Sequence, residues 1–191
     1  MAGTPDAGLA ASEWRLPTQP SDSPHDRRGG IPHRPGRDRL YTREGERELV
    51  AAYVSGLNGC RYCHGVHTAT AEWLGIESGA AASLLDGGDT GAIPDKMRPV
   101  LNFAKKLTRR ADGVTQSDVD AVFAIGWNET AVYHPVAVVA LFNYMNRLVE
   151  GLGIELNPAY AQTAAKRLAD RGYRPLIEMM RRPFETTGKS E

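Results

Sequence analysis

The chain has 191 residues, long enough for one domain with its own hydrophobic core and too short to call for a second core. Lysine plus arginine and aspartate plus glutamate each number 23, so the net charge is zero, which removes the bulk electrostatic reason to expect nucleic acid or an anionic membrane as partner. Small neutral ligands and protein partners remain, and the lack of self-repulsion permits copies to assemble.

The first residues, Met1 to Asp6, show neither the basic nor the apolar region of an export signal, and nowhere do 18 apolar residues run together. The expectation is a soluble, cytoplasmic protein without a membrane span. Residues 1–40 hold six of the twelve prolines, the Gly29-Gly30 pair and Arg27, Arg28, Arg34, Arg37 and Arg39. With so little to bury, this stretch reads as an N-terminal arm, extended or disordered, and 41–185 as a helical domain.

From Thr42 onward the apolar spacing is helical. Leu49, Val50, Tyr53, Val54 and Leu57 form one stripe, and Gly56 with Asn58-Gly59 reads as the chain reversal that follows. Further helices are expected over Cys60–Leu74, Ser78–Leu85, Asp95–Arg110, Thr115–Ile125, Glu129–Leu152 and Pro158–Arg171. Thr115 with Asp118 has capping-box spacing, and Asn157-Pro158 is an N-cap followed by proline at the first helical position. The β-branched Val136, Val138 and Val139 lie within a longer helical pattern, and no run alternates as a half-buried strand does. The fold class is therefore all-α, a compact multi-helix bundle.

Cys60 and Cys63 are the only cysteines. In a reducing compartment a lone CxxC is expected to be a cycling dithiol or a metal site rather than a permanent staple. If Cys60 opens a helix, then at about 100° per residue Cys60, Cys63, His64, His67, Ala71 and Leu74 share one face. Thiols in a first helical turn meet unpaired amides and the positive end of the dipole, which is expected to lower their pKa from about 8.5 toward 7. Glu48 projects away from the Leu49/Tyr53/Leu57 stripe beside Ala51, Ala52 and Ser55, small residues that let another helix approach. A carboxylate held in such a contact loses water and suits a proton acceptor for a thiol or imidazole.

Other chemistries fit parts of this pattern. Cys60-Arg61-Tyr62-Cys63-His64 is also the CxxCH string of c-type haem attachment, which requires an exported chain. Two thiolates and two imidazoles suit zinc, yet side chains from one straight helix cannot surround a tetrahedral ion without a second segment. A redox sensor would form the disulfide without turnover. Trp73, Trp127, Phe103, Phe142, Tyr144 and Met145 fit either ordinary core or an apolar substrate pocket. Asn143, Asn146 and Arg147 are expected to satisfy helix ends or a subunit contact.

Glu48, eleven intervening residues, Cys60-x-x-Cys63, three residues and His67 resemble the active-site pattern of the alkylhydroperoxidase D family, within the carboxymuconolactone decarboxylase superfamily. Leu57-Asn58-Gly59-Cys60-Arg61-Tyr62-Cys63, the stretch 101–108, Phe142-Asn143-Tyr144-Met145-Asn146-Arg147 and Gly151-Leu152-Gly153 resemble its peroxidase-related branch. The resemblance covers roughly Arg43 to Glu155, and more loosely Gly172-Tyr173.

It implies an all-helical bundle and reduction of small organic hydroperoxides. By this resemblance Cys63 attacks the peroxide, Cys60 resolves the sulfenic acid as a disulfide, and Glu48 with His67 relays the thiol proton. It further implies a dithiol reductant such as a dihydrolipoyl group or a thioredoxin-like protein, a homo-oligomer, and no cofactor or metal. Dipole reasoning alone favours Cys60 as the more acidic thiol, so the order of the two rests on the resemblance. Members with the fullest relay carry histidine immediately before the second cysteine, where this chain has Tyr62, a poor base at neutral pH. His64 is not part of the resembling pattern. Tyr62 and His64 stand as secondary candidates.

Overall fold

A computed structural model describes residues 43–87, 93–175 and 178. The arm expected over residues 1–40 lies outside the described residues, as does most of the domain's expected end past 175. Seven α-helices run through the described part: α1 Glu44–Leu57, α2 Arg61–Trp73, α3 Ala80–Leu85, α4 Arg98–Arg109, α5 Gln116–Ala124, α6 Glu129–Gly151 and α7 Pro158–Arg171. Among the described residues there is no strand, so the all-α expectation holds. None of the described helices is long and apolar enough to cross a membrane.

The centre of the bundle is α1. Its apolar stripe and its small-residue face are both covered, with Glu46 and every residue from Glu48 to Ser55 buried. Helices α2, α3, α4 and α6 pack around it. Full burial of Leu49, Val50 and Val54, with Val100 of α4 and Val139 of α6, contributes about 1.5–3 kcal/mol per side chain. The small face works as anticipated: the Ala52 carbonyl and the Ser55 hydroxyl both accept hydrogen bonds from other helices.

Gly56 does not form the reversal. It lies inside α1, where an added Cβ would collide with Leu85 of α3 and press on the His64 ring, so its role is close helix approach. The turn itself falls to Asn58 and Gly59, the latter at φ +76°, a left-handed conformation that suits glycine.

Cys60 likewise does not open α2 but precedes it as the N-cap, in extended conformation. The helix expected from Asp95 to Arg110 is broken into a 3-10 turn, Asp95–Met97, and α4. Pro99 has no N–H to donate and would clash with the carbonyl four residues back, so it fits only the first turn of a new helix. The other boundaries fall within two residues of expectation. Thr115 receives its capping contact from Asp118 (N–H to Oδ2, 2.7 Å), and Asn157 caps α7 through Tyr160 N–H (3.2 Å).

Helix α6 is amphipathic. Val132, Val139, Phe142, Asn146 and Val149 face the core, while Tyr133, Leu141, Tyr144, Leu148 and Leu152 form an exposed apolar stripe on the other side. Helix α7 buries Ala161 and Ala165 and lies against α2.

Candidate active site

The turn between α1 and α2 pins the dithiol. Cys60 N–H donates to the Ser55 carbonyl and the Cys60 carbonyl accepts from His64 N–H, both at 3.0 Å. Cys60 is wholly buried and Cys63 is 4 % exposed, and both are free thiols. Burial pushes the Cys60 thiol up to about 12, against the favourable Cys63 backbone N–H, and the neighbouring Cys63 and Glu150 side chains push the same way. Burial also pushes Cys63 up. Two donors oppose it there, the Cys60 thiol and the Asn146 amide, while the Glu150 charge adds to the rise.

The expected lowering of both thiols by the helix dipole is therefore corrected. Desolvation outweighs the first-turn amides because neither sulfur faces water. Two side-chain donors favour a thiolate at Cys63, whereas Cys60 has one backbone donor and spends its own proton on Cys63; the Glu150 carboxylate opposes ionisation of both.

One turn further along α2, His67 is buried beside Glu48 of α1. His67 Nδ1–H donates to Glu48 Oε2 at 2.6 Å, a short, charge-assisted bond. The other carboxylate oxygen, Oε1, accepts from the Tyr173 hydroxyl at 3.0 Å. The His67 ring is held edge-on by Phe142 of α6 at 4.5 Å and lies parallel to the Tyr173 ring at 6.5 Å. With Nδ1 donating to Glu48, Nε2 is the ring nitrogen through which the neutral imidazole would accept a proton.

The four primary candidates thus form two pairs, Cys60 with Cys63 at the start of α2 and His67 with Glu48 one helical turn further on. The secondary pair does not join them. His64 Nδ1–H is committed to the Ala52 carbonyl at 2.9 Å, which ties the two helices together. Tyr62 stacks on Tyr160 of α7 at 6.3 Å. Burial and the hydrogen bond to Tyr160 push its hydroxyl up to about 12, so it is no base near neutral pH.

Of the apolar candidates, Phe142 alone is seen against the relay. Phe103 and Trp127 are core, Trp73 and Tyr144 are surface, and Met145 is half-buried.

Three neighbours of the site lay outside sequence reasoning. Asn146 is 2 % exposed; its Nδ2 donates to Ser55 Oγ at 3.0 Å and its Oδ1 accepts from Asn58 at 2.9 Å. Asn143 also accepts from Asn58, the C-cap of α1, at 3.3 Å, so the expectation that these asparagines serve a helix end holds. The added finding is that Asn146 reaches Cys63. An asparagine in the core-facing register of α6 was the signal for it. Glu150, one turn on, had no such signal, while Tyr173, which arrives from beyond α7, was marked only by the loose resemblance over Gly172-Tyr173.

A cavity of about 640 Å³ is lined by Arg47, Glu48, Leu168 and Tyr173 among others, and by neither cysteine nor His67. It touches the outer end of the relay and not the dithiol. Among the described residues no three His, Cys, Asp or Glu side chains converge as a metal site would require.

No protein-family model matches the chain, and none of the curated proteins does. Solved structures do. An uncharacterized peroxidase-related protein from Silicibacter sp. TM1040 is 26 % identical with a TM-score of 0.56, over 66 % of this chain and 65 % of its own. An uncharacterized peroxidase-related protein from Ralstonia eutropha JMP134, described as an alkylhydroperoxidase D core, is 25 % identical with a TM-score of 0.58, over 66 % and 67 %. The helical architecture and these likenesses show that the chain is similar in fold to the alkylhydroperoxidase D-like proteins.

Proposed function

We propose that this protein is a thiol peroxidase that reduces small organic hydroperoxides through the Cys60/Cys63 dithiol. The observation that carries the reading is the buried Glu48–His67 hydrogen bond one helical turn from Cys63. A neutral, buried thiol needs a base before it can attack, and His67 Nε2 is that base. The Cys63 proton passes to His67, the thiolate attacks the distal peroxide oxygen, and the O–O bond breaks. The alkoxide leaves as the alcohol after taking the proton back from the imidazolium, and Cys63 becomes a sulfenic acid.

Cys60 then attacks the Cys63 sulfur. An S–S bond forms, the S–O bond breaks, and the hydroxide departs as water with the Cys60 proton. A dithiol donor, of dihydrolipoyl or thioredoxin-like type, reduces the disulfide by exchange and is itself oxidised. Such a cycle belongs in a reducing compartment, the cytoplasm. The order of attack follows the two side-chain donors on Cys63.

The exposed stripe of α6 supports a homo-oligomer in which a second copy covers Tyr144 and Leu148. Leu148→Glu is expected to reduce the mass measured by light scattering, and an unchanged mass would remove this face from the assembly.

The functional test is stopped-flow oxidation of the fully reduced protein by tert-butyl hydroperoxide with thiol counting. Loss of both thiols per peroxide consumed is expected, with Cys63→Ser consuming none. Thiols that survive peroxide but exchange with a small disulfide would establish instead a redox sensor or disulfide-exchange protein.

A further inference from the structure

Tyr173 lies two residues past the end of α7 and 125 positions along the chain from Glu48. Gly172, at φ +58°, lets the backbone turn there in a way a side-chain-bearing residue resists, and Tyr173 comes to rest against the relay. It meets both members of the pair: its hydroxyl donates to Glu48 Oε1 at 3.0 Å, and its ring lies parallel to the His67 ring, 13° between planes.

A carboxylate with one hydrogen bond can still rotate about its terminal torsion. A second donor on the other oxygen fixes its plane.

We propose that Tyr173 is a positioning residue for the relay, its hydroxyl locking the Glu48 carboxylate so that Oε2 holds His67 Nδ1–H and Nε2 stays aimed as proton acceptor for Cys63. This rests on the peroxidase reading only for what the base does, since the hydrogen-bonded arrangement exists without peroxide. The groups seen against the His67 ring are Glu48 from α1 and Tyr173, with Cys63 one turn earlier on its own helix. Helix α6 presents the uncharged Phe142 ring. Burial, then the Glu48 charge, push the Tyr173 hydroxyl up, so it remains a donor throughout the working pH range.

The test pairs spectroscopy with kinetics on the full chain. In Tyr173→Phe the downfield His67 Nδ1–H resonance of the reduced protein is expected to broaden away by solvent exchange. Thiol oxidation by tert-butyl hydroperoxide is expected to slow on the order of tenfold at pH 7. A resonance that persists with a rate within about twofold of wild type would overturn the proposal. Should that variant fail to fold, site-specific 3-fluorotyrosine at 173 keeps ring and hydroxyl but donates more strongly. It is expected to shift the Nδ1–H resonance, and an unmoved resonance would overturn the proposal equally. Failure of the wild-type protein to consume peroxide would sink the peroxidase reading alone, with the resonance still deciding the role of Tyr173.

Discussion

The two ends of the site bury ionisable groups to nearly the same depth and treat them in opposite ways. At the start of α2, Cys60 and Cys63 have few partners, and burial holds both as neutral thiols. One turn later His67 and Glu48 are 7 % and 8 % exposed, yet both carboxylate oxygens are engaged, Oε2 by His67 Nδ1–H and Oε1 by the Tyr173 hydroxyl. Burial alone suppresses charge; burial with saturated hydrogen bonding makes a place where charge can appear. A neutral dithiol one helical turn from a hydrogen-bonded Glu–His pair is the division of labour that the proposed peroxidase cycle would use.

The largest break in this comparison comes from removing the acceptor. Glu48→Ala leaves the buried His67 Nδ1–H and the half-buried Tyr173 hydroxyl without this acceptor, at up to about 1–3 kcal/mol each. Urea unfolding should show a loss of about 2–5 kcal/mol. Glu48→Gln, which keeps the shape and an acceptor oxygen, should hold most of that stability and instead slow thiol oxidation by about ten- to a hundredfold. A Glu48→Ala protein as stable as wild type would mean that the relay is not the saturated network described here.

The thiols give a smaller effect and a definite sign. The folded Cys60 thiol titrates near 12, above its unfolded value of about 8.5, so the folded state keeps a proton that the unfolded chain loses. Its contribution is fully present below pH ~8.5 and is lost as the pH climbs toward 12. The slope from this group is at most about 1.4 kcal/mol per pH unit. Denaturation midpoints of reduced protein measured from pH 7 to 10 should fall in that window, and Cys60→Ala should flatten the fall. A midpoint that rises with pH would show that Cys60 is a thiolate in the folded protein, as the helix dipole alone would have it.

That reversal marks the boundary of what could be read from residues in order. Helices were legible because their apolar spacing is local: the α1 stripe, the Thr115/Asp118 cap and the Asn157-Pro158 start needed no tertiary knowledge. The Glu48, Cys60, Cys63 and His67 set was legible as a pattern, and the small residues beside Glu48 indicated correctly that a helix would approach. The energetic environment was not. The helix dipole alone would make Cys60 more acidic, but the turn ties its backbone to Ser55 and leaves the residue wholly buried. Gly56 was read as turn because glycine serves turns and close contacts alike, and only the position of Leu85 distinguishes them. Tyr173 reaches Glu48 across 125 residues, a distance over which spacing carries no information.

Glu150 offers the smallest and sharpest test of the contrast, because its carboxylate is exposed while its influence falls on a buried sulfur. Glu150→Gln leaves the burial of Cys60 unchanged, removes the charge and exchanges one acceptor oxygen for an amide donor. If desolvation dominates, as the ordering of causes for Cys60 requires, the thiol should become more acidic without approaching its value in water. Iodoacetamide alkylation of Cys60 at pH 8 in a Cys63→Ser background should then quicken by less than about tenfold. The gain should shrink at high salt, where an exposed charge is screened and desolvation is not. A salt-independent or larger gain would mean that Glu150, rather than burial, keeps the dithiol neutral, and that the two ends of α2 differ by the sign of a neighbouring charge instead of by the supply of hydrogen bonds.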